Sequence, residues 1–350
     1  MPPPQFRSPT RIAIAGAGLL GRLLAHELGR AGHEVHVFDP APHAEARGAA
    51  GWTAAGMLSP VAELECADAD VFQLGLRSLA LWPAVLQRLR VPVEFRRDGS
   101  VLLAHRGDEG AARRVLDLLA HKVRDSAPEL APRAVDGAAL RELEPSVRGP
   151  AHTWLLPAEG RIHTVQAMQA LAEAAPNVHW HWGRTVLQAQ PGLLRCDDGE
   201  HRFPHVFDVR GTGARPELPV RGVRGEIFWL QAPGLQLTRP LRLLHPRHRV
   251  YLVPRAPDLV VVGASEIESE DRSPVSVRST VELLAAAHSV VPELAEARVV
   301  HSESNLRPAL PDNLPHIERR QGLTRINGLF RHGWLIAPAL VERALQDTTP

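Results

Sequence analysis

Residues 11–39 read RIAIAGAGLLGRLLAHELGRAGHEVHVFD, and their pattern decides the fold. The apolar run Ile12-Ala13-Ile14-Ala15 has the character of a buried parallel strand. Gly16, Gly18 and Gly21 follow in G-x-G-x-x-G spacing. A helix is then predicted, with Leu20, Leu23, Leu24 and Leu28 on one face, and a second strand from Val35 to Phe38 ends at Asp39. Gly16 permits the tight turn out of the strand, Gly18 lets the backbone approach a pyrophosphate, and Gly21 lets helix and sheet pack closely. The helix N-terminus offers unpaired N–H groups to the phosphates. Asp39 stands where a carboxylate accepts hydrogen bonds from a ribose diol. A strand before the glycines, a helix after them and an acid at the next strand end are the context a dinucleotide site requires. The spacing alone leaves NAD and FAD both open.

The chain has 350 residues, enough for two domains or one large one. A hydrophobic content of 44% and a charged content of 23% suit a soluble globular protein. A formal net charge of +1 gives no electrostatic pull toward nucleic acid or a membrane surface, and neither is expected as a partner. Lys122 is the only lysine among 40 basic residues, which reads as base composition of the source genome rather than as function. Cys66 and Cys196 are too few for a disulfide framework or a zinc cluster, and a reducing cytoplasm is the expected compartment. The opening MPPPQFRSPT reads as a loose arm. Arg7 and Arg11 before IAIAGAGLLG mimic a signal peptide, but the glycine spacing favours the nucleotide strand. No apolar run is long enough to span a membrane.

Downstream, Arg47 to Pro60 (RGAAGWTAAGMLSP) is rich in small residues, as a backbone lying against a flat ligand would be. Asp68–Leu89 reads as a helix broken at Pro83. Val93–Arg97 and Val101–Ala104 read as a strand pair around Asp98-Gly99. Helices are predicted around Ala111–Leu119 and after Thr164, taken as an N-cap, and strands at Thr153–Leu156 and Glu226–Leu230. Val178-His179-Trp180-His181-Trp182 places two histidines on one face of a strand. No third ligand lies nearby in sequence, so an ordinary strand is expected and no metal. Phe207–Val209 followed by Gly211 and Gly213 suits a parallel strand and turn beside the nucleotide. Arg249–Pro254 and Leu259–Gly263 read as a hairpin, Ser273-Pro274 as a helix start, Arg307 to Pro315 as a loop, and Ile326–Phe330 as a strand before a final helix. The fold class is α/β (α+β overall). A Rossmann-like nucleotide domain (9–80, 155–215 and 305–346) is expected to interleave with a mixed-sheet domain (81–154 and 216–304).

Taken together, these stretches resemble the D-amino-acid oxidase superfamily of flavoproteins, most closely the glycine oxidases of thiamine biosynthesis. Gly16-Ala17-Gly18-Leu19-Leu20-Gly21 with Asp39 resembles the FAD motif. Ala54-Ala55-Gly56-Met57-Leu58 resembles the segment that lies along the flavin, and Glu63 falls where an acid is frequent. Tyr251-Leu252-Val253-Pro254-Arg255 and Val262-Gly263-Ala264-Ser265 resemble paired substrate-side stretches. Leu306-Arg307-Pro308 with Pro311-Asp312 resembles the loop whose arginine holds a carboxylate. Arg331 precedes Gly333-Trp334-Leu335-Ile336-Ala337-Pro338, which resembles the terminal turn against the flavin. Three departures stand out: Glu266 where relatives are often apolar, His163 where an aspartate is frequent, and Phe207–Gly213 without the usual Ala-Ala-Gly turn.

The resemblance implies FAD as cofactor, held by Gly16, Gly18, Leu19, Leu20, Gly21, Asp39, Ala54, Ala55, Gly56, Met57, Val186, Gly211, Gly213, Gly333, Trp334 and Leu335. It implies oxidation of the amine of a small amino acid, with Tyr251, Arg307 and Arg331 as catalytic residues and Met57, Glu63 and Glu266 in the substrate pocket. The products would be an oxo acid, ammonia and, with dioxygen as acceptor, hydrogen peroxide. A role in thiamine biosynthesis and a homo-oligomeric state are further expectations. The alternatives are an oxidase or dehydrogenase of another D- or N-methyl amino acid, or a tRNA aminomethyl-uridine-modifying flavoenzyme.

Overall fold

The computed structural model describes residues 8–124, 127–174, 176–244 and 249–346. Of the proline-rich arm MPPPQFRSPT, residues 1–7 lie outside them. Two large sheets organise the chain. The first runs in the order His316–Arg320, Leu323–Asn327, His205–Asp208, Arg11–Ala15, Glu34–Asp39, Val178–Trp182. Its neighbours pair in parallel, except for the antiparallel edge strand His316–Arg320. The helix Leu19–Arg30 buries Leu23, Leu24 and Leu28 in the core on this sheet. That is the strand–turn–helix–strand unit expected from residues 11–39.

The second sheet has eight strands: Arg298–Ala309, Arg221–Gln231, Leu259–Gly263, Arg249–Arg255, Leu241–Leu244, Ser100–Ala104, His152–Leu156 and Arg133–Val135. Its alternating inward residues, such as Val250, Leu252, Val260 and Val262, meet the helix Val277–Val290 in a separate core. Chain segments alternate between the two sheets, so the interleaving is present. Residue 155 lies in the strand His152–Leu156 and residue 305 in the strand Arg298–Ala309, both of the eight-stranded sheet.

Several local expectations fail for identifiable reasons. Asp98-Gly99 does not close a hairpin. Phe95–Arg96 pairs with Gly160–Ile162, while Ser100–Ala104 pairs with Leu241–Leu244 and His152–Leu156. Pro83 does not end its helix, which runs Ala69–Leu86. There Trp82 stacks on Trp334 at 5.6 Å and donates its Nε1–H to the Trp334 carbonyl at 3.2 Å, anchoring the helix past the proline. The helix after Ser273-Pro274 starts later, at Val277, where Ser276 accepts from the Ser279 N–H at 3.1 Å. Thr164 is the first helical residue rather than the cap. His163 Nδ1 accepts from the Gln166 N–H at 3.4 Å, and burial holds the His163 pKa down at about 4, which keeps the ring neutral. Arg307 lies on a strand, not in a loop. Pro308 is accepted there because Arg298–Ala309 is an edge strand, where a missing N–H is least costly.

Candidate active site

One cavity of about 1190 Å³ extends from the glycine turn at Gly16 to Tyr251, Arg307 and Arg331. At the turn, Gly16 has φ +102°, a conformation open chiefly to glycine. A Cβ on Gly21 would lie 1.9 Å from the Gly16 carbonyl oxygen, so Gly21 serves packing and is not in the cavity lining. A Cβ on Gly18 would meet only Ala49 Cβ, at 3.7 Å. No protein atom therefore requires glycine at 18, whereas the close approach of a pyrophosphate does. The helix Leu19–Arg30 begins there with no side-chain cap, leaving its first-turn N–H groups for an anion. These observations fit FAD.

Asp39 has a second duty that its sequence position did not reveal. Its Oδ2 accepts from the Ala17 N–H at 2.6 Å and its Oδ1 from the Ala41 N–H at 2.8 Å. The carboxylate thus ties the glycine turn to the chain leaving the second strand, and Asp39 lines the cavity. Arg22, next to Gly21, donates to the carbonyls of Ala17, Met168 and Ala44 at 2.8, 2.6 and 2.7 Å. Burial among Trp52, Trp180 and Trp182 lowers it to about 10, and it braces the turn from behind.

Along the middle of the cavity run Ala54, Ala55, Gly56 and Met57. Gly56 has φ +69°, and a Cβ there would lie 2.1 Å from the Ile162 carbonyl oxygen. Arg255 clamps this stretch by donating Nη2 to the carbonyls of Ala55 and Ile162. Val186, Gly211 and Gly213 line the nucleotide side. Gly333, Trp334 and Leu335 bring a second uncapped helix N-terminus to the cavity, that of Gly333–Leu345. Trp334 spends its indole N–H on the Gly51 carbonyl at 3.0 Å, so its backbone, not its ring hydrogen, is offered to a ligand.

The far end is built from side chains. Tyr251 lies across Gly263, where a Cβ would sit 2.6 Å from the phenol oxygen. Burial raises its pKa, and its hydroxyl makes no hydrogen bond among the described residues. Three guanidiniums surround it. Arg242 donates Nη2 to Glu63 Oε1 at 2.7 Å, and Arg331 Nε lies 2.9 Å from Glu63 Oε2. Arg331 Nη1 also reaches Glu266 Oε2 at 3.2 Å, and His332 Nδ1 lies 3.1 Å from Glu63 Oε2. Glu63 is therefore a hub. Burial pushes its pKa up, but Arg331, Arg242 and His332 outweigh that and hold it well below the usual carboxylate range. For Arg331 the balance is similar: burial lowers its pKa, while Glu63 and Glu266 raise it overall.

Arg307 differs. It donates Nη1 to the Arg224 carbonyl at 3.3 Å and Nη2 to the Ser265 carbonyl at 3.1 Å, and it has no carboxylate partner among the described residues. Burial lowers its pKa. Its guanidinium lies against Gly225, where a Cβ would come within 2.5 Å of Nη2. A half-buried guanidinium without a counter-ion, beside a phenol with a free hydroxyl, is built to receive an anion. Glu266 lines this end too, with its side chain 45% exposed. Sequence reasoning missed Arg242, Arg255, Arg22 and His332. A lone arginine in an arginine-rich chain carries no local signal, although His332 beside Arg331 was open to notice.

Comparison with known proteins identifies the family. Residues 11–344 match the FAD dependent oxidoreductase family. The chain is 36% identical over 332 residues to a protein of Rhizobium etli assigned as thiamine biosynthesis oxidoreductase ThiO, covering 94% of each chain. It is 27% identical to the glycine oxidase of Geobacillus kaustophilus over 93% of this chain and 89% of that one. The crystal structure of a glycine oxidase from Geobacillus kaustophilus superposes with a TM-score of 0.82 at 25% identity, covering 97% of this chain and 96% of that chain. With the glycine turn, the cavity and these likenesses in agreement, the chain belongs to the FAD-dependent oxidoreductase family, and FAD is its cofactor.

Proposed function

We propose that the protein oxidises the amine of a small α-amino acid, glycine or a close analogue, and that the imine so formed serves thiazole assembly in thiamine biosynthesis. The observation that carries this is Arg307, a cavity-lining guanidinium beside Tyr251 that has no counter-ion among the described residues. The names borne by the relatives from Rhizobium etli and Geobacillus kaustophilus support the same substrate class.

FAD supplies the two-electron acceptor when bound. The rest is done by this chain. Arg307 holds the substrate carboxylate in a two-pronged fork, and the Tyr251 hydroxyl donates to the same group, which fixes the α-carbon's distance and direction. The substrate amine is left unclamped, free to lose its proton. Arg331 is held by Glu63 and Glu266, so its part is to shape the wall and its charge. The uncapped N-terminus of Gly333–Leu345 favours negative charge at the cavity end it faces. Loss of a hydride from the α-carbon and a proton from the amine leaves the imine. Imine not taken up for thiazole assembly is hydrolysed by water to an oxo acid and ammonia, and dioxygen taking the two electrons with two protons yields hydrogen peroxide.

A second reading, an N-substituted or larger D-amino acid, draws on Glu266. A cationic or donor group on the substrate would compete with Arg331 for that carboxylate. We assign the six-stranded sheet and the stretches around it to FAD and the eight-stranded sheet to substrate. No helix among the described residues is long and apolar enough to cross a membrane. A cytoplasmic homo-oligomer is the proposed form. The test is anaerobic: mix the yellow holoenzyme with glycine, sarcosine, D-alanine and simple amines, and follow the flavin absorbance. Bleaching by the amino acids and not by the amines is expected. Bleaching by simple amines alone would defeat the proposal.

A further inference from the structure

His179 and His181 have no third ligand near them in sequence, but the fold supplies one. The parallel pairing of Glu34–Asp39 with Val178–Trp182 sets His36 beside His179 and Phe38 beside His181. The His36 ring stacks on that of His179 with centroids 4.8 Å apart. His36 Nε2 lies 2.8 Å from Glu34 Oε1, and its Nδ1 lies 3.0 Å from His181 Nε2. One ligand atom from each of Glu34, His36 and His179 falls within 4.8 Å of the other two. We propose that Glu34, His36 and His179 form a site for a divalent transition-metal cation of the zinc type, at the edge of the six-stranded sheet.

Two imidazoles and a carboxylate are a ligand set that such cations accept, with water completing the shell. Ligands at ~2.0–2.1 Å from a tetrahedral ion stand roughly 3.3 Å from one another. The Glu34–His36 contact is already near that spacing. His179 is exposed, so a rotamer change can bring it in. His181 completes the arrangement. With His36 Nε2 turned to the ion, His36 Nδ1–H would donate to His181 Nε2, the outer hydrogen bond that orients a metal-bound imidazole. The competitor is Arg11, whose Nε lies 3.3 Å from Glu34 Oε1. Its side chain is more than half exposed, so it can swing away from the carboxylate. A second cluster, Cys196, Asp198 and His201, is a poorer candidate. Cys196 is buried, and Arg184 already stands 3.1 Å from Asp198.

The position gives the site a structural consequence. Val178–Trp182 is the edge strand opposite His316–Arg320, and among the described strands only Glu34–Asp39 pairs with it. An ion bridging Glu34 and His36 to His179 staples that edge. Glu34, His36 and His179 do not line the flavin cavity, so occupancy should leave turnover unchanged.

Tag-free holoenzyme is dialysed against zinc chloride in a non-coordinating buffer, and bound zinc and unfolding temperature are measured. Wild type should take up about one zinc per chain and unfold at a higher temperature with zinc than without. His179→Ala and Glu34→Gln should each weaken uptake at least ~10-fold and lose the thermal shift, with flavin content and turnover unchanged. Cys196→Ser should bind as wild type. No uptake by wild type above the buffer control would overturn the proposal. So would variants at 179 and 34 that bind like wild type, or loss of binding in Cys196→Ser alone.

Discussion

At the nucleotide end of the cavity, the lining is made by backbone: Gly16 and Gly18, an uncapped helix and one carboxylate that organises the turn. At the Tyr251 end it is made by long charged side chains brought from segments far apart in the chain: Arg242 and Arg307 from strands, Arg331 from a turn, with its partner Glu63 from a short helix. The first construction is local, so steric rules decide it. The second is collective, so charge balance decides it. The lesson is that substitutions at the two ends should fail in different ways, through FAD retention at one and through electrostatics at the other.

The largest effect is expected at the charge hub. Glu63→Gln leaves Arg242 and Arg331 facing each other without their shared counter-ion. Breaking a buried ion pair in this way costs about 3–5 kcal/mol, readable by denaturant unfolding of the holoenzyme. The pH dependence has a definite sign. Glu63 is held well below its ordinary value of 4.5, so its stabilisation is complete above about pH 4.5 and is lost as pH falls toward its folded value. Wild type should therefore lose stability more steeply than Glu63→Gln below that pH, and run parallel to it above. A parallel course throughout would remove Glu63 from the role of hub.

Gly21 and Gly18 sharpen the contrast at the other end. Gly21→Ala drives a Cβ to 1.9 Å from the Gly16 carbonyl oxygen. A loss of about 3 kcal/mol, the upper end for overpacking, is expected in the apoprotein itself. Gly18→Ala meets only ordinary contact with protein, so apoprotein stability should change by less than ~0.5 kcal/mol while FAD affinity falls. Equal apoprotein stabilities for the two variants would contradict the assignment of their separate roles. Asp39→Ala comes next. It removes charged hydrogen bonds to the Ala17 and Ala41 N–H groups, each worth roughly 1.5–3 kcal/mol. FAD titration of the apoprotein should show about one to two decades of lost affinity; unchanged affinity would leave Asp39 a surface acid. The smallest effect belongs to Glu266→Met. Its side chain is half in solvent, so stability should change by less than about 1 kcal/mol, and the readout is the ranking of glycine, sarcosine, D-alanine and a basic D-amino acid by kcat/KM. An identical ranking in both proteins would take Glu266 out of the pocket's selectivity.

Legibility in the sequence follows the same division. The glycine turn, Asp39 and the Ala54–Met57 stretch were readable because each requirement is met within a few consecutive residues. These residues line the cavity, apart from Gly21, whose task is packing. Asp98-Gly99 misled because a turn signal is local while strand partners are not: Ser100 pairs across to Leu156. Arg307 was legible as a residue but not as a strand position, since its Pro308 neighbour argues for a loop until the strand is known to be an edge. Arg242 was invisible, because only the register that places it opposite Tyr251 gives it meaning. The same holds for Glu34 and His36, which lie about 145 residues from the histidines they approach.

The claim at the centre of this account is that Arg307, not Arg331, receives the substrate carboxylate. Both line the cavity beside Tyr251, but Arg331 is committed to Glu63 and Glu266 while Arg307 pairs with no acid among the described residues. The most direct measurement is steady-state kcat/KM for the best amino-acid substrate in FAD-loaded Arg307→Ala, Arg307→Lys and Arg331→Ala. Arg307→Ala should lose roughly 2–5 kcal/mol of transition-state stabilisation with FAD still bound. Arg307→Lys should recover little of it, because an ammonium cannot make the fork, and Arg331→Ala should cost less. An Arg307→Ala enzyme near wild type beside an Arg331→Ala enzyme that keeps its FAD but loses activity would contradict the account.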